Sequence, residues 1–99
     1  MRLSLTLAAT ACLLAFTDGY KIAIINNKGK KETYSTSDFN CHRVSSKFNS
    51  RPNRAATFDV GAEYFADPYC YDRVYRDEIP DGNFMPINEP IMAYKLIRR

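Results

Sequence analysis

Glu63-Tyr64-Phe65-Ala66-Asp67-Pro68-Tyr69-Cys70-Tyr71-Asp72-Arg73-Val74 is the stretch on which the reading of the fold depends. Its aromatic start predicts a strand over Glu63–Phe65, cut at Asp67-Pro68, because proline cannot donate to a sheet ladder and restricts the residue before it. A second strand is expected from Tyr69 to Arg76. Period-two alternation would put Tyr69, Tyr71, Arg73 and Tyr75 on one face and Cys70, Asp72, Val74 and Arg76 on the other.

Cys70 draws in the rest of the chain. Of the three cysteines, Cys12 lies in an N-terminal segment that reads as a secretory signal: Arg2 is its basic start, and Leu3 to Phe16 is almost wholly apolar or small. Such a run falls short of the roughly 20 residues a bilayer span needs. Residues 1–19 are therefore expected to be removed, leaving one small domain over 20–99. In an oxidising compartment Cys41 and Cys70 are expected to form its single disulfide. Closing that loop should contribute roughly 3–4 kcal/mol. No membrane partner is expected, and there is no Asn-x-Ser/Thr sequon.

Along the mature chain, Tyr20–Asn26 carries Ile22, Ala23, Ile24 and Ile25 and predicts a strand. Asn26-Asn27-Lys28-Gly29 predicts a turn, and Glu32–Tyr34 a returning strand. Between Asp38 and Phe48 the spacing of Cys41, Val44 and Phe48 predicts a helix, with Ser35, Ser37 and Asp38 at its entrance. Pro52 ends it in a polar loop, Asn49–Asn53. Ala56, Phe58 and Val60 alternate on a further strand. Pro80-Asp81-Gly82 is a turn, with Asn83–Ile87 as the partner strand beyond it and Ile91–Ile97 as the last. Hairpin, helix and strands in this order predict an α+β fold: one α-helix packed on an antiparallel β-sheet, with no internal repeat.

The net charge of +3 is unevenly spread. Lys28, Lys30 and Lys31 sit in a basic first half, and Asp59, Glu63, Asp67, Asp72, Asp77, Glu78, Asp81 and Glu89 crowd the second. A basic half can follow phosphates. Tyr64, Tyr71 and Tyr75, near Arg73, could stack bases on a sheet face. The only histidine, His42, makes neither a catalytic triad nor a zinc site with the two cysteines. No cofactor or metal is expected.

The order of several short motifs resembles the small fungal guanyl-specific ribonucleases. Tyr34-Ser35-Thr36-Ser37-Asp38-Phe39 is similar to their helix entrance, and Lys47-Phe48-Asn49 to the Lys-Tyr-Asn after it. Phe58-Asp59-Val60 resembles their Phe-Asp-Phe strand. Tyr64-Phe65-Ala66-Asp67-Pro68 falls where they carry Tyr-Tyr-Glu-Trp-Pro, Asp72-Arg73-Val74 matches their Asp-Arg-Val, and Gly82-Asn83-Phe84 takes the place of their next turn. Ala66 stands where the family has its catalytic Glu. Ser46 and the segment Asn88 to Pro90 stand where it has histidines, and only Arg73 keeps a counterpart. A guanidinium can bind phosphate but cannot shuttle a proton at neutral pH.

A secreted, shortened relative without those residues resembles the ribonuclease-like effectors of powdery-mildew fungi. That resemblance implies a microbial ribonuclease-like fold and no enzyme activity. It also implies delivery into the host-cell cytoplasm, suppression of plant immunity and recognition by an immune receptor. Expected partners are host plant proteins and RNA, bound by a monomer. Arg73, Lys28, Lys30 and Lys31 would be the phosphate contacts, and the loops Asn49–Asn53 and Glu78–Gly82 the protein contacts. Two other readings stand beside it. A secreted β-rich toxin or crystallin-like module would also suit cysteines flanking short aromatic strands, and it differs by having no helix. An active small ribonuclease would need a rearranged site.

Overall fold

Ile22 and Ile24 on one strand and Tyr64 on another are fully buried, and the chain folds so that their two sheets close on each other. A computed structural model describes residues 19–98; the expected signal segment, apart from Gly19, lies outside them. Eight strands follow in order: β1 Tyr20–Ile25, β2 Lys31–Thr36, β3 His42–Arg43, β4 Asn53–Thr57, β5 Ala62–Phe65, β6 Arg73–Asp77, β7 Met85–Ile87 and β8 Ala93–Leu96. They form two four-stranded sheets, ordered β2-β1-β4-β7 and β3-β8-β5-β6. Every pairing is antiparallel.

The strand order contains an internal symmetry that the sequence does not announce. In the first half, β1, β2 and β4 share a sheet and β3 crosses to the other; in the second, β5, β6 and β8 share a sheet and β7 crosses back. Each half completes its sheet with a strand from the other, so the two make one folding unit. The symmetry lies in the strand order, not in a repeated sequence. Gly19 and Gly61 occupy matching places before β1 and β5. A Cβ on Gly19 would lie 2.6 Å from the Thr36 carbonyl oxygen, and one on Gly61 2.8 Å from that of Asp77.

The α+β expectation, with one helix packed on a sheet, is overturned: this is an all-β sandwich. The segment predicted as a helix holds only the two-residue β3 and a three-residue 3-10 turn, Ser46–Phe48. The physical reasons lie in its polar residues. Asp38 accepts hydrogen bonds from the Asn40 amide at 2.9 Å and from His42 Nε2 at 2.6 Å, which closes a local turn instead of capping a helix. His42 and Arg43 then pair with Tyr94 and Ala93 of β8, and the Val44 amide donates to Met92 O. Ser45 caps no more than the 3-10 turn. Cys41, expected to point inward from that helix, is exposed. A one-helix ribonuclease-like architecture has no counterpart here.

Other boundaries shift as well. The strand expected from Tyr69 starts only at Arg73, since residues 66–72 form a loop. Asn83–Ile87 was expected to pair across the Pro80-Asp81-Gly82 turn, but its ordered part, β7, pairs with β4. Pro86 stands on this outer strand, where its missing N–H costs no ladder bond. Of the expected set Ala56, Phe58 and Val60, Ala56 and Val60 are buried, but so are Ala55 and Thr57, and Phe58 is exposed because β4 ends at Thr57.

The core gathers Ile22, Ile24, Ala55 and Ile87 from one sheet and Ala62, Tyr64, Tyr94 and Leu96 from the other, with Phe48 and Ile91 from connecting segments. Burying side chains of this size contributes roughly 1.5–3 kcal/mol each for the larger ones. Two tyrosines bring their polar ends into the interior, and both are satisfied across the sandwich. Tyr64 OH lies 3.0 Å from Thr57 Oγ1, and Tyr94 OH is bonded to Thr36 Oγ1.

Candidate functional site

Three surface features carry the residues singled out in the sequence. The first is the loop between β5 and β6. Cys70 is joined to Cys41, 29 positions away, at a Cα–Cα distance of 5.9 Å. Asp67 organises the backbone on the other side: its carboxylate accepts from the amides of Tyr69 at 3.0 Å, Tyr71 at 2.9 Å and Asp72 at 2.7 Å. The Ala66 amide closes the loop onto Asp72 O at 2.9 Å. Desolvation pushes the Asp67 carboxyl up, but these amide donors outweigh it and hold it below the usual carboxylate value. Cys70 itself adopts φ 61°, a conformation no strand residue has, which is why the expected strand cannot begin here.

Pinned at both ends, this loop holds two aromatic rings in solvent. Tyr71 is 87% exposed and Tyr69 61%, with ring centroids 6.3 Å apart. The Arg43 guanidinium lies 5.4 Å from the Tyr69 centroid, a cation–π contact from the strand that carries the partner cysteine's neighbour. Tyr64, Tyr71 and Tyr75 were expected to stack bases on a sheet face. Instead Tyr64 is sealed in the core, and Tyr75, half-buried, stacks on it at 6.4 Å. Of that trio only Tyr71 offers its ring to a ligand. Tyr69, which the alternation put on the same face as Tyr71, does lie beside it, but on the loop and not on a strand.

The second feature is Arg73. Its guanidinium lies 2.6 Å from Glu63, which Arg76 also approaches at 3.0 Å, and Arg76 in turn reaches Glu78 at 2.6 Å. Desolvation raises the Glu63 carboxyl, the two arginines lower it by more, and the net effect is a value below the usual one. Arg73 is therefore part of a surface ion network on sheet β3-β8-β5-β6.

The lysines lie elsewhere. Lys28 and Lys30 sit in the β1–β2 turn and Lys31 begins β2, on the opposite sheet, so the four cations predicted to act together do not converge. Lys28 and Lys30 instead line an open cleft of about 720 Å³ with Lys47, Asn27, Asn49 and Ser50. Lys47 is paired with Glu32 at 2.5 Å. The loop Asn49–Asn53 forms part of this cleft's wall, while Asn53 itself is buried in β4 and donates through Nδ2 to Phe48 O, Ser50 O and Glu89 O. Glu78–Gly82 lies on the surface next to the Arg73 network, with Ile79 68% exposed.

Among the described residues no group of three or more metal-ligating side chains comes together, and no helix is long and apolar enough to cross a membrane. Comparison with protein families, with curated proteins and with solved structures finds no match for this chain.

Proposed function

We propose that this chain is a secreted, non-catalytic binding module of crystallin-like build, acting as a toxin or effector on a protein outside the cell that makes it. The supporting observation is the loop 66–72. It carries two solvent-exposed tyrosines, and both the disulfide and the Asp67 carboxylate hold it in one shape. Tyrosine and arginine are the residues most often found as energetic anchors of protein interfaces. A loop ordered before binding loses little entropy on binding. Tyr69, Tyr71 and Arg43 are the proposed anchors.

The crystallin-like part rests on the reciprocal exchange of third strands between two four-stranded halves, together with the absence of the expected helix. Action as a plant-directed effector drew its fold argument from the ribonuclease resemblance, and that support goes with the helix. Secretion and partner binding do not depend on it. Arg73, the one counterpart kept in the ribonuclease-like motif order, is ion-paired with Glu63, so it offers a phosphate a partly neutralised guanidinium.

The test is capture of partner proteins on the immobilised protein, side by side with a Tyr69→Ser/Tyr71→Ser variant of unchanged circular dichroism. Proteins retained by the parent and lost by the variant support the reading. An identical set on both would sink it.

A further inference from the structure

We infer that the cleft on the β1–β2 turn is a binding site for an acidic oligosaccharide. It shares no lining residue with the Tyr69–Tyr71 loop, so this goes beyond the protein-binding role proposed above and stands or falls separately.

The first ground is charge. Three lysines, Lys28, Lys30 and Lys47, line a single cleft of about 720 Å³, and no Asp or Glu lines it with them. Lys47 is neutralised by Glu32 at 2.5 Å. Lys28 and Lys30 have no ion pair among the described residues. By contrast, the cleft of about 710 Å³ beside Asp38 and Glu63 mixes both signs with Lys95 and Arg98. A concave surface of one sign raises the local concentration of the opposite charge.

The second ground is rigidity. Asn26 Oδ1 accepts from the amides of Lys28 at 3.0 Å and Lys30 at 2.8 Å, which fixes the backbone from which both side chains spring. The turn is also tied to the opposite wall, since Asn26 Nδ2 donates to Lys47 O and Asn27 Nδ2 to Arg51 O, each at 3.3 Å. The lysines thus project from a braced frame, and less order has to be imposed when a ligand arrives.

The third ground decides the class of ligand. Besides the lysines, the lining residues are all asparagines and serines, among them Asn27, Asn49 and Ser50, and none is aromatic. Single-stranded nucleic acid is held by stacking its bases on aromatic faces, and none is offered here. Amides and hydroxyls both donate and accept, which suits the hydroxyls of a sugar ring. The ammonium groups suit sulfate or carboxylate substituents on it.

The experiment measures binding of the purified protein to five probes by calorimetry: a heparin-derived sulfated hexasaccharide, a galacturonate hexamer, a neutral cellohexaose, a single-stranded RNA hexamer and inorganic sulfate. At least one acidic saccharide is expected to bind, and which of the two does so identifies sulfate or carboxylate as the anion. Lys28→Ser/Lys30→Ser, with Lys95→Ser as a charge control outside the cleft, should weaken it about tenfold, as loss of two partly exposed ion pairs implies. Asn49→Ala leaves every charge in place and should still weaken the saccharide while leaving inorganic sulfate unaffected. The inference is overturned if neither acidic saccharide binds, if cellohexaose binds as well, or if RNA binds more tightly. It is equally overturned if the double lysine variant binds as the parent does.

Discussion

Arg73 Nη1 lies 2.6 Å from Glu63 Oε2, and Arg76 Nη1 lies 3.0 Å from the same oxygen. Two guanidinium groups converge on one carboxylate across the β5–β6 ladder, where Glu63 pairs with Arg76 and Phe65 with Arg73. Glu63 thus already offsets part of the positive charge that Arg73 could offer a phosphate.

Arg73→Ala is therefore expected to leave polyanion binding within about twofold of the parent, whereas changes at Lys28 and Lys30 reduce it. Glu63→Gln should cost roughly 0.5–1 kcal/mol, the usual scale of a partly exposed network. The pH dependence follows from the lowered Glu63 carboxyl. Its contribution is complete above the unfolded value near ~4.3 and fades as the pH falls through the lower folded value. Urea unfolding at neutral and acid pH checks both points. A difference between parent and Glu63→Gln that persists unchanged in acid would contradict the ion-pair account.

The disulfide is expected to be a major part of the stability of so small a domain. Cys41 and Cys70 are 29 positions apart, so opening the bridge should cost about 3–4 kcal/mol on the chain-entropy view. For a domain of this size that corresponds to a fall of more than about 10 °C in Tm. Differential scanning calorimetry of the Cys41→Ala/Cys70→Ala variant measures it. Because Asp67 still holds the loop amides, Tyr69 and Tyr71 should keep part of their arrangement in that variant, readable as retained partner capture below the lowered Tm.

Alkaline pH should unfold the sandwich through its tyrosines. Desolvation raises the hydroxyls of Tyr34, to about 12, and of Tyr64, Tyr75 and Tyr94. Their folded values exceed the unfolded value of about 10. The stability they add is thus intact below about pH 10 and is lost as the pH climbs through the folded values. Near-ultraviolet titration should show a late, cooperative ionisation step that coincides with loss of circular dichroism. Smooth independent titration of all tyrosines in a folded protein would rule the linkage out.

Local chemistry made part of this legible and long-range pairing hid the rest. The run of Ile22, Ile24 and Ile25, the Asn26–Gly29 turn, the aromatic strand ending before Pro68 and the Cys41–Cys70 bridge each follow from neighbours in sequence. The false helix arose because Cys41, Val44 and Phe48 happen to recur at helical spacing. They belong to an exposed link, a strand end and a 3-10 turn, held together by β8 some 50 positions on. Which tyrosine faces in was equally invisible. Tyr64 and Tyr71 differ in the partner strand and in the Asp67 loop, and neither difference is written beside them. The exchange of β3 and β7 leaves no local mark, since an alternating pattern is the same whichever sheet receives it.

The internal symmetry of the two halves does leave a mark in the sequence, at Gly61. A Cβ placed there would stand 2.8 Å from Asp77 O and 3.1 Å from the Ile97 side chain, inside normal contact distance. The Gly61 carbonyl meanwhile accepts the Ile97 amide at 2.8 Å, so the backbone cannot move aside without giving up that bond. Gly61→Ala is expected to destabilise by about 1–3 kcal/mol, the range for overpacking a filled site. Urea unfolding should show a lower midpoint with an unchanged slope. A midpoint equal to the parent's would mean that the β5–β6 pair is looser than the Asp77 contact requires. The pseudo-symmetric place of Gly19, tight against Thr36, would then lose its physical reason too.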